Sequence, residues 1–162
     1  MPEQRHTRTP LLLEIPVRRS WRLTHVVLDF NGTLALDGKL LAGVKTKLRE
    51  LSQRFVLVVC RADTHGNARR CLRSLPVELK IVATGHDKPG VLSTNLWKSA
   101  VAIGNGCNDA AMFRCARLSI AVLGLEGAAS EVLRHADVVT SNVLDALDLL
   151  LYPKRLVATL RT

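Results

Sequence analysis

The sequence predicts a three-layer α/β fold in which a parallel β-sheet is covered by helices on both faces. Short runs rich in Val, Ile and Leu alternate with segments whose apolar residues recur at helical spacing. Several of these runs end directly at Asp, Asn or Gly, as buried parallel strands that lead into ligand-binding loops do. The 162 residues, 48% of them hydrophobic, suffice for one such domain.

The beginning of the chain differs in composition from the rest. Residues 1–23 are predicted to form a basic N-terminal tail that includes a short β-hairpin, in which Leu11–Ile15 pairs with Trp21–Leu23. Residues 24–162 are predicted to form the α/β domain, because strands and helices alternate there without a linker long enough to separate two domains.

Hydrophobic periodicity defines the elements of this domain. The predicted strands are, in order, His25–Leu28, Phe55–Cys60, Leu79–Ala83, Ser99–Ile103, Leu118–Leu123 and Asp137–Thr140. The predicted helices are Val44–Arg54, His65–Ser74, a short helix ending near Trp97, Asn108–Ala116, Glu126–His135 and Val143–Leu151, which Pro153 ends. A further hairpin is predicted over Leu34–Leu40, because Asp37-Gly38 lies between alternating apolar residues.

The composition limits the classes of partner. A net charge of +9 favours anionic partners, which include phosphorylated metabolites, nucleic acid and acidic proteins. Nucleic acid is disfavoured among them, because the few aromatic residues do not interleave with the basic ones as a stacking surface would. No apolar run approaches the ~20 residues of a membrane span, so we expect a cytoplasmic protein with no membrane span. The four cysteines form no C-x-x-C pair and are expected to be reduced thiols.

Candidate catalytic residues follow the predicted strands, where parallel sheets bind their ligands. A carboxylate such as Asp29 can attack phosphorus and form an aspartyl-phosphate. Mg²⁺ keeps several waters and needs only one or two carboxylates, so Asp109 could supply the second. Lys88 could offset the negative charge of Asp29 and of a phosphoryl group. Gly32 and Gly106 allow the backbone to approach an anion closely.

Two of these segments resemble motifs of a known superfamily. Asp29-Phe-Asn-Gly-Thr33-Leu34 resembles the first motif of the haloacid-dehalogenase-like superfamily, and Gly104-Asn-Gly-Cys-Asn108-Asp109 resembles its last, in the form that P-type ATPases use. Ala62-Asp63-Thr64 resembles part of the second motif, and Lys88 precedes Gly104 at a similar separation. The resemblance runs from about Leu23 to the C-terminus. It implies a Rossmann-like sheet, a flap hairpin and no large cap domain, as in a small soluble branch related to the P-type ATPase phosphorylation domain.

The resemblance also implies roles for individual residues. Asp29 corresponds to the nucleophile, Lys88 to the charge-neutralising lysine, and the Leu34–Leu40 hairpin to the flap that shields the nucleophile. The implied metal ligands for Mg²⁺ are Asp29, Asn31 through its backbone carbonyl, Asn105 and Asp109. The implied phosphate-binding residues are Gly32, Thr33, Arg61 and Asn108.

Three departures from the family pattern bear on activity. Asn31 replaces the Asp that usually acts as general acid and base, a contribution typically worth 10²–10⁴-fold. Asn105 replaces the principal metal-binding Asp. The usual phosphate-binding Ser or Thr corresponds to Arg61 or Cys60, and Arg61 could either bind phosphate in a bidentate manner or pair with Asp29 or Asp63 and block the site.

Each candidate residue also has a purely structural interpretation. Asp29 and Asp63 could turn the chain after a strand, Asn105 and Asn108 could cap a helix, and Lys88 could be an ordinary surface lysine. Three functions remain open at this point. They are a slow Mg²⁺-dependent phosphohydrolase that forms an aspartyl-phosphate at Asp29, a catalytically degenerate protein that binds a phosphorylated ligand or a protein partner, and a nucleic-acid-binding protein. The sequence indicates neither the substrate nor the oligomeric state.

Overall fold

The computed structural model describes residues 8–62 and 67–162. Its strands are β1 (Leu11–Leu13), β2 (Trp21–Leu23), β3 (His25–Asp29), β4 (Ala35–Leu36), β5 (Lys39–Leu40), β6 (Val56–Ala62), β7 (Glu78–Val82), β8 (Ala100–Gly104), β9 (Leu118–Val122) and β10 (Val138–Thr140). Its α-helices are α1 (Val44–Ser52), α2 (Asn67–Leu72), α3 (Thr94–Trp97), α4 (Ala110–Cys115), α5 (Ser130–His135), α6 (Val143–Leu151) and α7 (Pro153–Leu160). Two segments are 3₁₀-helical, Gly85–Val91 and Cys107–Asp109.

Six strands form one parallel sheet in the order β10-β9-β8-β3-β6-β7. The chain starts in the middle with β3, proceeds to β6 and β7 on one side, and then crosses to β8, β9 and β10 on the other. Strand order therefore reverses between β3 and β8. In open parallel sheets the crevice at the carboxyl ends of two such strands is the place where ligands bind.

Helices bury both faces of this sheet. Successive residues of β3 alternate between the faces, so that Val26 and Leu28 belong to one apolar cluster and Val27 to another. The first cluster includes Leu48 of α1, Leu147 of α6 and Leu156 of α7. The second includes Trp97 of α3, Phe113 of α4 and Val132 of α5. The predicted three-layer Rossmann-like arrangement is thus confirmed.

The predicted flap is the antiparallel pair β4–β5, in which Ala35 pairs with Leu40. Its turn residues Asp37 and Gly38 have φ angles of 50° and 76°, as a tight two-residue hairpin turn requires. The Cys71 thiol of α2 donates to the Gly38 carbonyl at 3.5 Å, so the flap tip rests on that helix. Within residues 8–62 and 67–162 no large cap domain accompanies the flap.

The N-terminal strands β1 and β2 pair antiparallel, with Leu11 opposite Leu23 and Leu13 opposite Trp21. Leu11, Leu13 and Leu23 are buried in the first apolar cluster, so this hairpin packs onto the main core. Residues 1–7 of the predicted basic tail lie outside the described residues, and the division of the chain at residue 23 stays a prediction.

Two C-terminal elements differ from the prediction. The helix predicted to begin at Glu126 begins at Ser130, because Gly124 and Gly127 adopt φ angles of 42° and 71° that no α-helix accommodates. Pro153 follows α6 as predicted, but it also begins α7, where the missing N–H of a first-turn proline costs nothing. No helix in the described part of the chain is long and apolar enough to cross a membrane.

Candidate active site

The predicted catalytic residues meet at the carboxyl ends of β3 and β8. Asp29 is the last residue of β3, and Asn105 directly follows β8. Asp109 ends the 3₁₀ turn that follows Asn105, and Lys88 projects from the other 3₁₀ segment, Gly85–Val91. The structure therefore brings together residues that are far apart in the sequence, from Asp29 to Asp109.

Lys88 forms the centre of this site. Its Nζ donates to Asp29 Oδ1 at 2.7 Å and to Asp109 Oδ1 at 2.5 Å. The Lys88 side chain is completely buried, and so is Asp109, while Asp29 is 6% exposed. The interpretation of Lys88 as an ordinary surface lysine is wrong. Taking these charges out of water carries a large desolvation penalty, which only their mutual contacts offset.

The segment that carries Lys88 is fixed on both sides. At its start, the backbone N–H and the hydroxyl of Thr84 both donate to Asp87 Oδ2, at 2.8 and 2.9 Å. Further along, the Trp97 indole N–H donates to the Pro89 carbonyl at 2.7 Å. Gly85 packs directly against Asn108, where a side chain would overlap the Asn108 backbone. These contacts fix the 3₁₀ segment and thereby place the lysine.

The burial of the site shifts its protonation equilibria. Burial, followed by the nearby Asp109 carboxylate, raises the pKa of Asp29 to about 7, although Lys88 and the Phe30 backbone N–H act in the opposite direction. Burial alone would lower the pKa of Lys88, but the two carboxylates outweigh it and raise this pKa. Lys88 therefore stays cationic, and the raised pKa of Asp29 means that this carboxyl group ionises at a higher pH than an ordinary aspartate.

A tight loop follows Asp29. The Gly32 N–H donates to the Ala35 carbonyl at 2.8 Å, and Gly32 itself has a φ angle of 77°. The buried Thr33 hydroxyl donates to Asn105 Oδ1 at 3.3 Å, which links the loop to β8. Asn31 is exposed. Its amide has no titratable proton to exchange with a substrate, and the effect of this residue on activity stays a prediction.

Asp109 and Asn105 organise the loop after β8. Asp109 Oδ2 accepts from the backbone N–H groups of Asn105 and Gly106, both at 3.0 Å, while its other oxygen receives Lys88. The Asn105 amide Nδ2 donates to the Gly127 carbonyl at 3.0 Å. A neutral amide at position 105 therefore has a structural function that a carboxylate could not perform, because a carboxylate has no hydrogen to donate.

Two of the predicted phosphate ligands occupy less central places. Arg61 is buried near the end of β6. It follows Cys60, which pairs in register with Asp29 of β3. The Arg61 guanidinium lies 5.1 Å from the centre of the Phe30 ring. Burial raises the pKa of the Cys60 thiol to about 12, so this thiol remains neutral. Asp63 and Thr64 lie outside the described residues. Binding of phosphate by Arg61 stays a prediction.

Asn108 is exposed and lies on the outer side of the loop. Together with His86, Cys107 and Arg114 it lines a cavity of about 380 Å³. Neither Asp29 nor Lys88 lines that cavity, which adjoins the candidate site without including its centre. Asn108 as a phosphate ligand stays a prediction.

Comparison with known proteins shows which fold this is. The chain matches the solved structure of the 3-deoxy-D-manno-octulosonate 8-phosphate phosphatase of Moraxella catarrhalis with a TM-score of 0.66 and 15% identity, over 85% of this chain and 92% of that one. The chain has the haloacid-dehalogenase-like fold. The cobalt-bound phosphatase YrbI of Haemophilus influenzae also matches this chain, with a TM-score of 0.64 and 16% identity, over 80% and 87% of the two chains.

The sequence relatives of this haloacid-dehalogenase-like chain carry no assigned function. No family model matches the chain. A stretch of 64 residues, 40% of the chain, is 48% identical to the uncharacterised protein MJ0073 of Methanocaldococcus jannaschii and covers 69% of that protein. The chain belongs to the same family as MJ0073. The narrower resemblance to the P-type ATPase phosphorylation domain stays a prediction.

The donor atoms at the site fit a hard divalent cation such as Mg²⁺. The oxygen donors that the structure places together are the Asp29 and Asp109 carboxylates, which Lys88 bridges, and the Asn105 amide oxygen, which accepts from Thr33. Among the described residues no three His, Cys, Asp or Glu side chains cluster as a ready metal site. An ion here would therefore keep several waters, as Mg²⁺ commonly does.

One residue near the site escaped the sequence analysis. Glu126 was included only as the start of a predicted helix, whereas the structure places it in the loop between β9 and α5, against Gly32. The available signal was the pair Gly124 and Gly127, because glycines on both sides of a residue are typical of a loop. Helical periodicity from Glu126 onward concealed that signal.

Proposed function

We propose that this chain is a Mg²⁺-dependent phosphohydrolase that forms an aspartyl-phosphate at Asp29. The observation that carries the proposal is Lys88, which is fully buried and bridges the carboxylates of Asp29 and Asp109 at the carboxyl edge of the sheet. Buried ion pairs contribute little net stability, so a charged centre in this position favours a functional role over a structural one.

In the first half-reaction a carboxylate oxygen of Asp29 attacks the phosphorus atom of the substrate. The bond from phosphorus to the leaving oxygen breaks, and the leaving group departs with that electron pair. Lys88 remains protonated and offsets the negative charge that Asp29 and the phosphoryl group bring together. The leaving group takes its proton from solvent, because the exposed Asn31 amide has none to give.

In the second half-reaction a water attacks the phosphorus atom and the bond to Asp29 breaks. Inorganic phosphate leaves, the water loses a proton to solvent, and Asp29 is again a carboxylate paired with Lys88. Asn31 cannot take the proton from the attacking water. Both halves therefore lack the general acid–base contribution, which is why we propose a slow enzyme.

The metal and the phosphate would be held by the residues around this centre. We propose Asp29, the Asn31 carbonyl, Asn105 and Asp109 as the ligands of Mg²⁺, which when bound would neutralise phosphate charge and orient the phosphoryl group. Gly32, Thr33, Arg61 and Asn108 are the proposed phosphate contacts. The Moraxella catarrhalis phosphatase, which has the same fold and whose structure contains magnesium and phosphate ions, supports the choice of these two ligands.

The same geometry favours substrates whose leaving groups need no proton. Acyl phosphates and aryl phosphates release weakly basic oxygens, so they depend least on the residue that Asn31 replaces. Alkyl phosphate esters depend on it most. We therefore propose acyl or aryl phosphates as the better substrate class.

The test is hydrolysis of acetyl phosphate and para-nitrophenyl phosphate, with and without Mg²⁺, by the wild type and by Asp29→Asn. We expect slow, Mg²⁺-dependent turnover that is lost in Asp29→Asn, because an amide does not attack phosphorus. Asp145→Asn is the matched control, since Asp145 is an exposed aspartate on α6, and it should leave turnover unchanged. Undiminished activity in purified Asp29→Asn protein would contradict the proposal.

The catalytically degenerate alternative is favoured by one specific observation, the neutral amides at positions 31 and 105. A protein of that kind would bind a phosphorylated ligand or a protein partner without turnover. It would form no adduct with beryllium fluoride, which mimics a phosphoryl group on a carboxylate. Absence of both turnover and adduct in the wild type would therefore replace the first proposal with this one.

A further inference from the structure

The proposed metal site is short of negative charge. Only two of its proposed ligands, Asp29 and Asp109, are carboxylates, and both already share one positive charge with Lys88. The other two, Asn31 and Asn105, are neutral donors. The negative charge of the site would therefore be smaller than the positive charge of a divalent cation placed here. The inference below rests on the proposed Mg²⁺-dependent function.

A further carboxylate lies next to this site. A Cβ atom at position 32 would overlap Glu126 Oε2 and would lie only 2.7 Å from Asn105 Nδ2 and 2.9 Å from Asn105 Oδ1. The Glu126 carboxylate and the Asn105 amide thus lie against the same glycine, directly after the Asn31 carbonyl. Only a residue without a side chain leaves this space to Glu126.

Asn105 holds the loop that carries Glu126. Its Nδ2 donates to the Gly127 carbonyl at 3.0 Å, and its own carbonyl accepts from the Ala129 N–H at 2.8 Å. On the other side of Glu126, a Cβ at Gly124 would lie 3.3 Å from the Gly32 carbonyl oxygen, so that residue also packs on the loop after Asp29. Asn105, which lacks the negative charge, therefore positions the loop that carries the Glu126 carboxylate.

We propose that Glu126 supplies the negative charge that Asn105 lacks, and that it does so by accepting hydrogen bonds from the waters of the bound cation. Glu126 is exposed, so water has access to its carboxylate. Mg²⁺ retains several waters in such sites, and partners of this outer kind typically contribute 10–100-fold to metal affinity.

The test measures metal binding alone, without substrate. Binding of Mn²⁺, which prefers the same oxygen donors as Mg²⁺, can be followed from the electron paramagnetic resonance signal of the free ion. We expect Glu126→Gln to weaken Mn²⁺ binding by about 10-fold or more, with its melting temperature in the absence of metal unchanged. Glu50→Gln, at an exposed glutamate on α1, is the matched control and should bind as the wild type does.

A second variant tests whether the charge is what matters. Asn105→Asp in the Glu126→Gln background places a carboxylate back at position 105 and should restore most of the lost affinity. Wild-type affinity in Glu126→Gln, or no recovery in the double variant, would overturn the role of Glu126 while the proposed function stands. Absence of Mn²⁺ binding in the wild type would overturn both.

Discussion

Lys88→Met is expected to lower the free energy of unfolding by about 3–5 kcal/mol at pH 8, the usual cost of removing one partner of a buried ion pair. The variant leaves the carboxylates of Asp29 and Asp109 buried side by side without the cation that both contact. The pKa of Asp29 in the folded wild type is already raised to about 7. Protonation of Asp29 at low pH removes one of the unpaired charges, so the variant should be more stable at low pH and should lose this stability as the pH rises. The measurement is urea unfolding of metal-free protein at pH 5 and pH 8.

Two further variants make this prediction specific to the charge. Lys98→Met removes an exposed lysine and should change the unfolding free energy by no more than about 0.5 kcal/mol. The double variant Lys88→Met with Asp29→Asn removes one of the two unpaired carboxylates, so it should be more stable than Lys88→Met alone. An equal loss of stability at both pH values, with no recovery in the double variant, would show that Lys88 contributes packing rather than charge.

Asn31→Asp is expected to raise turnover of alkyl phosphate esters by about 10²–10⁴-fold, the usual range for a positioned general acid–base group. Asn31 is exposed, so an aspartate there can exchange protons with solvent between the two half-reactions. Its effect on phosphorylation by acetyl phosphate should be small, since acetate leaves without a proton. Release of phosphate from Asp29 should accelerate with either substrate, because the new carboxylate can accept a proton from the attacking water.

The comparison of substrates is the internal control for this variant. Values of kcat/KM for β-glycerophosphate and acetyl phosphate report the steps up to departure of the leaving group, so measuring them in wild type, Asn31→Asp and the exposed-residue control Asn95→Asp isolates the phosphorylation step. An equal rise with both substrates in the phosphorylation step would mean that position 31 acts other than by protonating the leaving group. No rise with the ester would mean that an absent general acid is not what limits the wild type.

Most of the fold could be predicted because hydrophobic periodicity reports burial directly. Val26, Val27 and Leu28 form an apolar run that ends at Asp29, and the structure buries these residues on both faces of the sheet. Asp37-Gly38 likewise defined the flap turn, since few other pairs adopt two positive φ angles at low cost. Prediction from periodicity fails at Glu126. The helical spacing of the residues after it predicted a helix from this position, whereas the two nearby glycines, Gly124 and Gly127, place it in a loop.

The site was predictable in its residues but not in its arrangement. Asp29, Lys88 and Asp109 were all candidates, yet only the structure shows that Lys88 is completely buried and contacts both carboxylates. Its 3₁₀ segment is held by Thr84, Gly85 and Trp97, through contacts that no periodicity encodes. The replacement at position 105 was visible in the sequence, but the contact by which the Asn105 amide holds the loop of Glu126 was not.

The most direct test of the central claim is detection of phosphate on Asp29 itself. The wild-type protein is incubated with acetyl phosphate and Mg²⁺, quenched in acid, digested and analysed by mass spectrometry, beside Asp29→Asn. We predict a peptide that contains Asp29 and carries one phosphoryl group, that loses it in hydroxylamine as an acyl phosphate does, and that has no counterpart in Asp29→Asn. Turnover of acetyl phosphate with the phosphoryl group on another residue, or an adduct that persists in Asp29→Asn, would contradict the account.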